Sequence, residues 1–159
     1  MTHTTHTTRT TGHVAAPRPD VYRALLDPAA IPRWRVPAGM SCRVHTFEPH
    51  EGGAFRVSLT YDDPASTSGK STARTDTYHG RFTRLVPDGE VVEEMEFETE
   101  DPAFQGLMTI TTTLTDAPGG GTDVSVLHTG LPEAVAPADN ETGMRMALDN
   151  LARLLEHPG

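Results

Sequence analysis

The stretch from residue 139 to 156 constrains this chain more than any other part of it. Met144, Ala147, Leu148, Leu151, Leu154 and Leu155 recur there at i, i+3, i+4, i+7, i+10 and i+11. That spacing suits a 3.6-residue period and gathers all of them on one stripe of a helix. A helix with one broad apolar face has to lay that face on something. The preceding residues, about a hundred of them, alternate in the manner of antiparallel strands, so a sheet is the surface on offer. A curved antiparallel sheet gripping one long helix commonly leaves a cavity between the two, which suggests a container for a small molecule.

The strands are delimited by turn chemistry. Glu51-Gly52-Gly53, Asp62-Asp63-Pro64, Pro87-Asp88-Gly89, Asp101-Pro102 and Pro118-Gly119-Gly120-Gly121 separate runs predicted as strands over 42–50, 54–61, 72–85, 91–98, 107–115 and 123–129. An opening strand is predicted over 3–14, where Thr alternates with larger residues. Connections this short force antiparallel pairing. Between the opening strand and the meander, Asp20 is a plausible N-cap for a helix over 21–26. A second short helix or turn follows over 28–34, and the two read as a V-shaped insertion rather than a crossover. The fold expected is α+β: a six- or seven-stranded antiparallel sheet wrapped round the last helix. The loop 63–71, rich in Ser, Thr and Gly, is the expected mobile element.

Size and charge narrow the functional classes. A chain of 159 residues is expected to form one domain over 1–159, ordered over about 3–156, with a core that needs neither metal nor disulfide staples. The formal charge of −9 disfavours a nucleic-acid binder, which needs a basic surface, and an anionic membrane surface. No apolar run approaches a membrane span. The stretch from Met1 to His13 lacks an apolar signal core, and the single Cys42 cannot bridge internally, so a cytoplasmic location is expected. Lys70 is the only lysine among 13 basic residues, a bias that points to a GC-rich bacterial genome. A monomer or homodimer without a cofactor is expected.

No catalytic signature such as a P-loop, a G-x-S-x-G elbow or an H-E-x-x-H helix is present. Two polar residues stand out by strand periodicity. His128 shares a face with Val124 and Val126, and Glu93 shares one with Val91, Met95 and Phe97, so both should point inward. An inward Glu and His in an apolar cavity could act as acid and base, although satisfied structural polar groups are the commoner outcome. Trp34, Met40, Phe55, Tyr61, Tyr78, Phe82, Met95, Phe97, Met108, Met144 and Leu148 are candidates for the inward surface, of which a minority would line a ligand pocket. Cys42 reads as a small buried hydrophobe despite its neighbour Arg43. His3, His6, His45, His50 and His79 lack ligand spacing, and no metal site is expected. Residues 88–101 carry eight acidic groups and no basic one; a solvated strand face is the simpler reading, a dock for a basic partner the alternative.

The chain also resembles a known family. The residues that carry the likeness are Ala16-Pro17 before Val21-Tyr22-Arg23-Ala24-Leu25, then Asp27-Pro28, Trp34 and Pro37-Ala38-Gly39-Met40. They continue with Gly52-Gly53-Ala54-Phe55-Arg56, Gly80 with Phe82 ahead of Val86-Pro87, Gly120-Gly121-Thr122, Gly130-Leu131-Pro132 and Gly143. In order and spacing they resemble the SRPBCC superfamily with its START-like helix-grip fold, in the branch similar to the heat-shock protein 90 ATPase activator. The likeness covers roughly His13 to Glu156. It implies a cavity for a small hydrophobic or aromatic ligand, and no universal catalytic residue. Where the family often has Gly-Trp at the start of the last helix, this chain has Gly143-Met144, and Met leaves a more plastic space. Three readings follow: a small-molecule binding protein first, then a cyclase- or hydratase-like enzyme using Glu93 and His128, then a chaperone-activator-like interaction domain docking through its acidic strand.

Overall fold

The computed structural model describes residues 5–36, 39–62 and 75–156. Seven strands form one antiparallel sheet: β1 (His6–Val14), β2 (Met40–Phe47), β3 (Ala54–Tyr61), β4 (Thr75–Val86), β5 (Glu90–Phe97), β6 (Met108–Asp116) and β7 (Thr122–Leu131). Their order across the sheet is β1-β7-β6-β5-β4-β3-β2. The long helix is α3 (Pro137–Glu156), and two short ones, α1 (Arg18–Leu25) and α2 (Ile31–Trp34), lie between β1 and β2. A 3-10 turn, Pro102–Phe104, precedes β6. The α+β helix-grip architecture is therefore the one expected.

The order of the strands corrects the path assigned to the short helices. β1 and β2 occupy opposite edges of the sheet, so α1 and α2 carry the chain across it instead of forming a local insertion. The helix starts also differ. α1 begins at Arg18 and has Pro17 as its N-cap, with Asp20 inside the first turn and no side-chain cap; proline's fixed φ and missing N–H suit a first turn at no cost. For the same reason α3 begins at Pro137, which puts Gly143 and Met144 in the second turn and not at the helix head. The loop 63–71, His3, Pro37 and Ala38, and the first three residues of the strand expected over 72–85 lie outside the described residues.

Alternation decides which side chains go inside. Val91, Glu93 and Met95 of β5, Met108, Ile110, Thr112 and Leu114 of β6, and Val124, Val126 and His128 of β7 are all buried. α3 covers this face with Ala147, Leu148 and Leu151 buried, while Met144, Leu154 and Leu155 pack partly buried against the core. The helix lies against β1 and touches α2. Gly12 on β1 eases this approach, since a Cβ there would stand 3.2 Å from Leu148 Cδ1. Gly80 marks a tighter approach between β4 and β5, where a Cβ would fall 1.9 Å from the Glu94 carbonyl oxygen.

The outer face explains the acidic strand. Arg84 Nε meets Glu90 at 3.0 Å, Arg81 Nη2 meets Glu94 at 3.3 Å, and His79 sits between Glu96 at 3.1 Å and Glu98 at 3.0 Å. Arg56 adds a two-pronged contact to Glu98, 2.8 and 2.9 Å. That fork, helped by His79 and opposed by burial, holds the Glu98 carboxyl down at about 2. Local sequence hides these partners, because they come from β3 and β4 through the sheet register.

Candidate functional site

The site begins where α2 ends. Arg35 is the C-cap of that helix, its N–H bonded to the Ile31 carbonyl at 3.0 Å. Neighbours fix its backbone: the Trp34 indole donates to the Ala24 carbonyl at 3.2 Å, and Asn150 Nδ2 of α3 donates to the Trp34 and Val36 carbonyls at 3.3 and 3.2 Å. Arg153 in turn holds the Asn150 side-chain oxygen. So anchored, Arg35 turns inward and meets Glu93 of β5, Nη1 to Oε1, at 2.8 Å. Only 16% of the Arg35 side chain and 6% of the Glu93 side chain are exposed. The guanidinium carbon stands 5.9 Å from the Trp34 ring centre and 5.8 Å from that of Tyr78, within the range of cation–π attraction.

Electrostatics follow from this geometry. Burial works against the charged guanidinium, but the charge and hydrogen bond of Glu93 outweigh it and keep Arg35 firmly protonated. Burial pushes the Tyr78 phenol up to about 12 even though Arg35 pulls the other way, so Tyr78 is a neutral donor. Burial also raises the Cys42 thiol against the pull of Arg35, and an uncharged thiol is a poor nucleophile. The half-buried Cys42 packs against the core, as a small hydrophobe would.

Between α2, α3 and the inner face of β5, β6 and β7 lies a cavity of about 20 Å³. Leu25, Trp34, Val91, Ile110, Val126, Met144 and Leu148 form its apolar wall, and Arg35, Glu93 and Thr112 its polar one. Of the side chains expected to line a pocket, Trp34, Met144 and Leu148 do so. Phe55, Tyr78, Met95 and Met108 are buried elsewhere in the core, and Phe97 is partly buried there. Phe55 stacks at an angle on Phe82 and Tyr78, with ring centres 5.2 and 6.2 Å apart. Met40 and Tyr61 are half-buried at the two paired ends of β2 and β3. Arg35, Leu25, Ile110, Thr112, Val126 and Val91 were not singled out as lining residues from the sequence. An inward glutamate needs a cation, and that requirement was the signal that could have led to Arg35.

Glu93 and His128 both point inward, as strand periodicity predicts, but the fold does not bring them together. Ile110 pairs with Glu93 on one side and His128 on the other, which sets their backbones two strand spacings apart, about 10 Å. His128 has its own partners. Asn140 Nδ2 of α3 donates to its Nδ1 at 3.3 Å, Thr8 of β1 donates to Asn140 Oδ1 at 2.6 Å, and Nε2 faces Met108 Sδ at 3.3 Å. Burial, with a smaller push from Arg35, lowers the imidazole to about 4, so it is neutral at pH 7. Among the described residues no three His, Cys, Asp or Glu side chains are grouped to hold a metal ion. On the outer face an open groove of about 450 Å³ runs over β1, β7 and β6; Thr11, Thr113, Ser125 and the exposed His13–Asp123 pair line it.

Comparison with known proteins fits this architecture. Protein CV1439 from Chromobacterium violaceum has a solved structure that superposes with a TM-score of 0.82 at 30% identity, over 94% of this chain and 96% of that one. A Rhodobacter sphaeroides protein matches at 24% identity and a TM-score of 0.75, over 94% of this chain and 92% of its own. DynU16, from the dynemicin biosynthetic locus, matches at 21% identity and a TM-score of 0.66; 96% of this chain covers 48% of that one. The last two likenesses establish the fold alone. No curated protein matches the chain. Residues 15–156 match the family described as activator of Hsp90 ATPase homolog 1-like protein, and the chain belongs to that family.

Proposed function

We propose that this protein binds a small, mainly apolar molecule between its sheet and α3, in the space bounded by Arg35, Glu93, Met144 and Leu148. The observation that carries the reading is the buried Arg35–Glu93 pair, 2.8 Å apart, in the wall of a mainly apolar cavity. Replacing such a pair by hydrophobic residues is often neutral or stabilising, so stability alone gives no reason to place one there. A few polar groups converging on an apolar cavity are the usual makings of a ligand site. Membership of a family whose fold commonly accommodates hydrophobic ligands supports the same reading.

At about 20 Å³ the cavity is smaller than the ligand it is proposed to hold, and a ligand has to enlarge it. An engineered cavity of about 150 Å³ admits benzene. Met144, half-buried and unbranched, is the wall residue best able to re-pack. Binding is favoured over acid–base catalysis because Glu93 is engaged by Arg35, while His128 is engaged by Asn140 and does not line the cavity. The acidic strand lends little to a docking role, since Glu90, Glu94, Glu96 and Glu98 each have a cationic or imidazole neighbour. The test is native mass spectrometry of protein purified from its own host, with a thermal-shift panel of fatty acids, flavonoids and polyketides. A co-purifying mass or a dose-dependent rise in Tm is expected; absence of both removes the reading.

A further inference from the structure

We infer that the ligand is an uncharged apolar molecule bearing a hydroxyl group, and that Arg35, Glu93 and Thr112 together anchor that hydroxyl. This rests on the ligand-binding reading and names the chemistry of the same cavity. The three polar side chains share the wall of one cavity. Thr112 is buried at 7% exposure, and Arg35 and Glu93 meet through a single contact, Nη1 to Oε1. A guanidinium has five N–H donors and a carboxylate two acceptor oxygens, so among the described residues the one contact leaves the pair with hydrogen-bonding capacity for a third group. A hydroxyl both donates and accepts. It can give its proton to the Glu93 carboxylate while its oxygen accepts from Arg35 or from the Thr112 hydroxyl.

Charge makes the selection sharper. The Arg35–Glu93 pair sums to zero, and its members hold each other inside an apolar wall. A carboxylate ligand would compete with Glu93 for Arg35 and leave one negative charge in excess, and a surplus buried charge is heavily penalised. An ammonium would do the same to Arg35. A pure hydrocarbon brings no surplus charge, but it offers no hydrogen bond to the polar groups it covers, which is costly. A site built to hydrogen-bond a hydroxyl rejects the analogue that lacks one far more strongly than an apolar pocket rejects a methylene. The rest of the wall, Trp34, Ile110, Met144 and Leu148, matches an apolar body.

The test uses four probes on one bicyclic frame: 2-naphthol, 2-methoxynaphthalene, naphthalene and 2-naphthoate. Affinities are measured by titration calorimetry at pH 7 for the wild-type protein and for the Arg35→Met/Glu93→Leu double variant. The double variant leaves no unpaired charge and is expected to fold, which circular dichroism verifies. In the wild type, 2-naphthol should bind at least about tenfold tighter than its methyl ether or naphthalene, the factor that corresponds to one net hydrogen bond, with 2-naphthoate weakest. In the double variant naphthalene should still bind and the preference for 2-naphthol should vanish. Equal binding of 2-naphthol and its ether, tight binding of 2-naphthoate, or a preference that survives in the double variant would overturn the anchor and leave the binding reading standing. If none of the four binds the wild type, the anchor falls, and the broader thermal-shift panel decides the binding reading.

Discussion

A guanidinium and a carboxylate taken out of water together each lose several kcal/mol of hydration, which their contact only partly returns. Arg35 and Glu93 are in that position, and the consequence is an asymmetry between single and double replacement. Arg35→Leu should destabilise the fold by about 3–5 kcal/mol, because the Glu93 carboxylate is then buried without a partner. Glu93→Leu should do the same to Arg35, whereas the double change should cost less than either single one. Urea denaturation of the four proteins checks this; additive losses would mean that the pair is solvated. His128 makes a separate statement through pH. Its imidazole falls from 6.5 to about 4 on folding, so between those values the unfolded chain binds the extra proton and the folded one resists it. The stabilisation is complete above pH 6.5 and is lost on acidification towards pH 4, with a full span of order 3 kcal/mol. His128→Gln should flatten that part of the stability–pH curve relative to wild type, and an unchanged slope would mean that the ring titrates freely.

α3 is the element on which the interior depends, and its middle residues carry the load. Leu151 has no exposed surface, Leu148 4%, and both face a sheet whose backbone cannot follow them inward. Leu151→Ala should cost about 2–5 kcal/mol, the price of lost transfer energy plus a cavity. A Tm within a degree or so of wild type would show that the helix face is not packed in this way. This helix and the six strands after the short helices were legible because period 3.6 and period 2 are strong signals over eight or more residues. Helix starts were less so: a proline at the first turn competes with an acidic N-cap as a signal, and at both α1 and α3 the proline marks the earlier start. The route of α1 and α2 across the sheet was not legible either, since no local pattern records which edge a strand will occupy.

At the scale of the whole molecule, what the sequence withheld is pairing between distant residues. The inward direction of Glu93 could be read from its own strand, but its partner Arg35 lies 58 positions away at the end of a four-residue helix with no period to read. The outward glutamates of β5, and Glu98 just after it, hid their neighbours in the same way, since Arg56, His79, Arg81 and Arg84 reach them only through the sheet register. Those contacts turn an acidic run into a mixed-charge surface, and no helix of the described residues is long and apolar enough to cross a membrane. What is left as distinctive is the small cavity under α3. The most direct test labels the methionine methyl groups with carbon-13 and follows them by NMR while an apolar ligand, identified by the thermal-shift panel, is titrated in. Met144 lines the cavity, whereas Met95 and Met108 are buried away from it. The Met144 methyl should shift first and most, with Met95 and Met108 responding less. Saturable binding that leaves Met144 unmoved would contradict the placement of the site between the sheet and the helix.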